Sequence, residues 1–163
     1  MNIKPTEQYG SWSGAEVESF LSTTPLPMRL SVSTASGPLI VPLWFEYKDG
    51  CLLSCSPADS LLVNSIDRHA EVAFDVSTND LPYRGVRGRG RAHYEIAEDN
   101  NRLAELLRKY LGGTDNQLAS WLLNRPHPEA LIEIEISWLT SWDFTGRMED
   151  IDRIADRAPD VRL

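Results

Sequence analysis

The run from Val86 to His93 constrains this chain more than any other stretch. Val86, Gly88, Gly90 and Ala92 fall on one side of a period-two pattern, and Arg87, Arg89, Arg91 and His93 on the other. Such alternation is the signature of a half-buried β-strand. Glycine is unfavourable inside a strand unless the backbone bends or a neighbour approaches closely. Two glycines on the apolar side therefore point to a barrel bend or a crowded interior.

The flanking segments agree. Residues 28–35 read as a strand, Ser36-Gly37 as a turn, and residues 38–47 as a second strand. Asp49-Gly50 is a favoured hairpin pair, and residues 51–55 form a third strand, giving an antiparallel meander. Residues 71–76, 83–96 and 130–144 supply three more strands. Ile132, Ile134, Ile136 and Trp138 alternate there against Glu133, Glu135 and Ser137.

Helical spacing is expected at residues 13–21, where Ser13 and Glu16 make a capping box. It recurs at 57–68, 99–111 and 115–123, with Gly112-Gly113 closing the third helix. The tail from Arg147 mixes acids and arginines. This order lacks the regular βαβ alternation of a doubly wound sheet. The glycine-rich segment 85–90 lies within a strand, so it is neither a dinucleotide fingerprint nor a P-loop. The reading is one domain, mainly β with helical insertions: a six-stranded antiparallel barrel.

Composition narrows the function classes. The chain has 163 residues, enough for one domain with a hydrophobic core. Hydrophobic residues make up 42%, too many for a disordered chain. Sixteen Lys+Arg against 24 Asp+Glu give a net charge of −8, which argues against non-specific binding to nucleic acid or to an anionic membrane. The longest apolar stretch, 39–45, is too short to span a bilayer. The first ten residues lack the apolar segment of a signal peptide, so a cytoplasmic protein is expected.

Cys51 and Cys55 are four residues apart, about 13 Å on one strand, beyond the reach of a disulfide. Both are read as reduced thiols. His69, His93 and His127 show no metal-ligand spacing, and no metal is expected. No Ser-His-Asp or Cys-His arrangement can be argued from spacing, so catalytic residues are unassigned.

The segment Leu81-Pro82-Tyr83-Arg84-Gly85-Val86-Arg87, followed by Gly90-Arg91-Ala92, resembles the "PPYRGVRVRGRA" of one branch of the pyridoxamine 5′-phosphate oxidase-like split-barrel proteins. Val41-Pro42-Leu43-Trp44-Phe45 resembles the opening hairpin of that family. Segment 60–74 is similar to its "K-x-x-N-L-x-x-x-P-x-V-A-L" helix and strand, and Trp142-Asp143-Phe144-Thr145-Gly146-Arg147 to its tail. The resemblance covers a core of about 26–147, flanked by an arm (1–25) and a tail (148–163).

What the resemblance implies is an FMN-binding split barrel and a homodimer with cofactor sites at the subunit interface. FMN is the usual cofactor, and some branches use the deazaflavin F420. The activity implied is hydride transfer between the flavin and a small-molecule substrate. The alternative is a non-catalytic ligand-binding dimer. Arg29, Ser60, Arg84 and Arg87 match basic or hydroxyl positions that hold the cofactor's phosphate. Ser54, Cys55 and Ser56 match the place where the family meets the flavin ring and ribityl chain. Leu61-Leu62 stand where the family often has an Arg-Lys pair.

Each group also has a plainer reading. Trp44 and Trp142 could stack on a flavin ring, although a barrel wall or dimer interface more commonly claims a tryptophan. Trp12, Trp121 and Trp138 are read as packing residues. Arg89 and Arg91 are expected to pair across strands with Glu133 and Glu135. His93 is read as a surface histidine.

Overall fold

The computed structural model describes residues 10–148. Most of the expected tail, and the first nine residues of the arm, lie outside them. The chain forms α1 (Gly14–Thr23), β1 (Met28–Thr34), β2 (Gly37–Leu43), β3 (Glu46–Lys48), β4 (Cys51–Pro57), α2 (Leu61–Arg68), β5 (Glu71–Ser77), β6 (Arg84–Ile96), α3 (Asn101–Leu111), α4 (Gln117–Leu123) and β7 (Glu129–Asp143). The capping box at α1 is present, with Ser13 and Glu16 satisfying each other's backbone N–H groups. Gly112 ends α3 in the left-handed conformation, at φ 74°.

The strands form one antiparallel sheet in the order β2-β1-β5-β6-β7-β4-β3. This corrects two expectations. Among the described residues there are seven strands rather than six, because the 38–47 segment breaks at Trp44 and Phe45. The first three strands are also no meander: β4 lies between β7 and β3, at the far end from β2.

Those two corrections explain the barrel. Seven strands about 4.8 Å apart would put the edges of a flat sheet roughly 29 Å from each other. Yet β2 and β3 occupy opposite edges and are joined by two residues, which reach at most about 11 Å. The sheet must roll up until its edges meet. The seam is closed by covalent chain at Trp44-Phe45 rather than by a strand ladder, which is the split in the barrel.

The interior is packed with Leu30, Val32, Phe74, Val86, Ile132 and Ile134, all buried, with α1 and α2 adding Leu21 and Leu62. Gly88 meets the crowding that its alternation implies. A Cβ there would lie 2.5 Å from Cζ of Phe74 and 2.6 Å from the Trp138 carbonyl oxygen. A second cluster under α3 and α4 holds Leu103, Leu107 and Ala119, with Trp44 and Cys55 packed against it. Among the described residues no helix is long and apolar enough to cross a membrane.

Candidate functional site

The outer face of β1, β5, β6 and β7 carries the most suggestive groove, of about 470 Å³. Strand register builds it in two rows. One row runs Arg29, Asp75, Arg87, Thr140, each directly opposite the next on the neighbouring strand. The other runs Ile40, Ser31, Ala73, Arg89, Trp138. The floor is apolar, and the guanidinium groups stand around it.

The second row depends on a bulge. Register between β6 and β7 shifts between Arg89 and Gly90, so that Arg89 faces Trp138 while Gly90 faces Ile136. Ser137 is the extra residue, and its hydroxyl donates to the Arg89 carbonyl at 3.1 Å. The shift turns Trp138 outward, although its alternation with Ile132, Ile134 and Ile136 had placed it inside. Arg89 then lies over the indole, 5.2 Å from the ring centroid.

This corrects the expected pairing of Arg89 and Arg91 with Glu133 and Glu135. Arg89 packs on Trp138. Arg91 faces Glu135 in register but ion-pairs with Glu71 at 3.0 Å.

Charge in the groove is unevenly satisfied. Arg29 is ion-paired with Asp75 at 3.3 Å, and it donates to Ser77 at 3.2 Å and to Asn79 at 2.5 Å. Arg87 and Arg89 have no ion pair among the described residues. One carboxylate therefore faces three guanidinium groups, and an acidic protein carries a local positive field here that attracts anions.

Of the residues singled out from sequence, this groove unites Arg29 and Arg87. The others lie elsewhere on the chain. Trp44 and Cys55 pack under α3 and α4, and burial pushes the Cys55 thiol up to about 12. Ser54 is buried, and its hydroxyl donates to the Trp44 carbonyl at 2.7 Å. The hydroxyls of Ser56 and Ser60 are 3.0 Å apart, and Ser60 caps α2 by accepting from the Val63 N–H at 3.2 Å. Leu61 projects outward beside Ser60, whereas Leu62 points into the core.

Arg84 and Trp142 flank Asp143 at the far end of β6 and β7. Burial raises the Asp143 carboxyl. Hydrogen bonds from Thr145 and from the Trp12 indole, with the charge of Arg84, outweigh that and hold it below its ordinary value. The groove residues that sequence reasoning missed include Ile40, Asp75, Arg89 and Trp138. An alternation pattern cannot disclose which of two outward rows a bulge will bring together.

The fold and the groove define a class: a split barrel with an outward-facing, anion-attracting surface. Solved structures share this fold. A conserved hypothetical protein from Mycobacterium tuberculosis is 23% identical, with a TM-score of 0.65, covering 85% of this chain and 90% of that one. An F420 reductase is 22% identical, with a TM-score of 0.62, covering 79% and 98%. A candidate pyridoxamine 5′-phosphate oxidase from Listeria innocua is 14% identical, with a TM-score of 0.57, covering 77% and 94%. No family model matches the chain. No curated protein matches it either.

Proposed function

We propose that this chain is a cytoplasmic homodimeric oxidoreductase that holds a flavin-type cofactor, FMN or its deazaflavin counterpart F420, and acts on a small-molecule substrate. The observation that carries the reading is the groove. Its volume suits a small-molecule site. Its flat indole and apolar floor suit a fused heterocycle, and Arg87 and Arg89 suit an anionic tail. A groove so open on one side is completed by a second subunit. The F420 reductase and the pyridoxamine 5′-phosphate oxidase candidate on the same fold support a cofactor of this kind.

When bound, the cofactor supplies the hydride chemistry, so the protein needs few catalysts of its own. Trp138 with Ile40 and Ala73 offers the surface on which the ring lies. Arg87 and Arg89 draw the anionic tail and fix its direction. Trp44, Ser54, Cys55, Ser56, Ser60, Arg84 and Trp142 enter this reading through the family resemblance, as positions a neighbouring subunit or the cofactor's far end would meet.

The first turn of α2 offers no cation to a phosphate of either cofactor, because Leu61 stands exposed where a basic residue would serve.

The test is an absorption spectrum of the purified protein, mass analysis of whatever denaturation releases, and titration of wild type and Arg87→Ala with FMN and with F420. A charge-assisted contact contributes about 1.5–3 kcal/mol, so Arg87→Ala is expected to weaken binding about tenfold or more. A colourless wild type that binds neither cofactor would overturn the reading in favour of a ligand-binding dimer. Sedimentation as a monomer at micromolar concentration would remove the second subunit from it.

A further inference from the structure

Beyond the bulge, the outer face of β6 and β7 changes character. Glu133 and Glu135 stand two apart on β7 and point the same way. His93 on β6 is directly opposite Glu133, and Cys51 on β4 is directly opposite Glu135. The His93 Nε2 lies 3.8 Å from Oε1 of Glu133. One ligand atom from each of His93, Glu133 and Glu135 falls within 4.8 Å of the other two. An ion 2.0–2.2 Å from each donor needs those atoms roughly 3–3.5 Å apart, which small rotations of exposed side chains achieve.

The cation nearest in register does not neutralise the site. Arg91, opposite Glu135, is engaged by Glu71 on the other side of β6. Glu135 has no ion pair among the described residues. A cavity of about 300 Å³, lined in part by Leu53, His93, Tyr94, Arg102 and Glu133, opens beside the cluster and leaves room for further ligands.

We propose that His93, Glu133 and Glu135 form a three-ligand site for one divalent transition-metal ion, with water completing its coordination. An imidazole with two carboxylates suits zinc, manganese or cobalt, whereas calcium and magnesium favour oxygen donors throughout. Two carboxylates and a neutral imidazole balance the charge of such an ion. Three protein ligands beside an open cavity leave a position for an exchangeable water. The site is independent of the arginine groove and of the cofactor reading.

The experiment uses the full-length, tag-free chain, dialysed against chelator and titrated with Zn²⁺ by calorimetry and with Co²⁺ by absorption. One ion per chain is expected. His93→Ala and Glu135→Gln should each weaken Zn²⁺ binding tenfold or more, at least the loss that outer-shell changes alone produce. Cys51→Ser should keep the ion, and the Co²⁺ spectrum should lack an intense thiolate charge-transfer band. Zn²⁺ bound equally well by all three variants would overturn the assignment. So would no binding to wild type at millimolar metal, or a thiolate band that Cys51→Ser abolishes.

Discussion

The indole of Trp44 lies flat against the phenol of Tyr110, with ring centroids 5.2 Å apart and planes within 12°. The stack fastens α3 to the corner where the barrel splits. The Tyr110 hydroxyl accepts from the Phe45 N–H at 3.2 Å and lies within hydrogen-bonding distance of the carbonyls of Leu26, at 3.1 Å, and Phe45, at 3.3 Å. It thereby satisfies backbone that the missing strand ladder leaves unpaired. Tyr110→Phe keeps the stack and removes those bonds, so it should cost about 1–3 kcal/mol. Urea denaturation should show a lower midpoint with an unchanged slope. An unchanged midpoint would mean that water serves the corner as well as the hydroxyl does.

Gly88 tests the curvature argument. Its missing Cβ is where Phe74 and the Trp138 carbonyl sit, and the carbonyl is backbone that cannot rotate away. Gly88→Ala should destabilise by about 1–3 kcal/mol or more through overpacking. Gly113→Ala is the control, because no atom lies within 4 Å of the Cβ it would add. Equal thermal midpoints for the two variants would contradict the crowded interior.

Much of this architecture could be read from residue patterns, and the failures share one physical origin. Period-two alternation located β6 and β7, and the capping box at Ser13 located the start of α1, because those signals are local. The break at Trp44-Phe45 was hidden because both residues suit strands. The strand order was hidden because pairing partners lie far apart in sequence. The bulge at Ser137 left no mark on the alternation, yet it moved Trp138 from the core to the groove and changed Arg89's partner from a carboxylate to an indole. Arg29 and Arg87, singled out through the family resemblance, come to share the groove because strand parity fixes their face.

Cys55 offers a pH prediction. Burial against the α3–α4 cluster is the chief reason its thiol sits at about 12, with Glu129 adding to the rise. At pH 8 alkylation should be slow in the folded protein and fast in denaturant. The folded value is raised above that of the unfolded chain, near 9.0. The contribution to stability is thus fully present below pH 9 and is lost as pH climbs towards 12, because the unfolded state sheds the proton first. Cys55→Ala should flatten the decline in stability over that window, as measured by denaturation at a series of alkaline pH values. Identical pH profiles for variant and wild type would remove Cys55 as a source of alkaline sensitivity.

Leu61 and Leu62 separate what a ligand meets from what the core needs. Leu61 is 62% exposed at the start of α2, and Leu62 is 3% exposed. Leu62→Lys would drive an ammonium group into the barrel and should cost several kcal/mol. Leu61→Lys should change stability by no more than about 0.5 kcal/mol, as exposed substitutions generally do. It would also place a cation beside Ser60, where the family resemblance puts the cofactor's phosphate. A new charge-assisted contact would contribute about 1.5–3 kcal/mol if the phosphate lay here; with the anion held by Arg87 and Arg89 in the groove, FMN should bind Leu61→Lys and wild type equally well. Fluorescence titration of the flavin measures this directly. A gain for FMN without one for riboflavin would locate the phosphate at the first turn of α2. Equal affinities for wild type and variant would instead leave the anion to Arg87 and Arg89 in the groove.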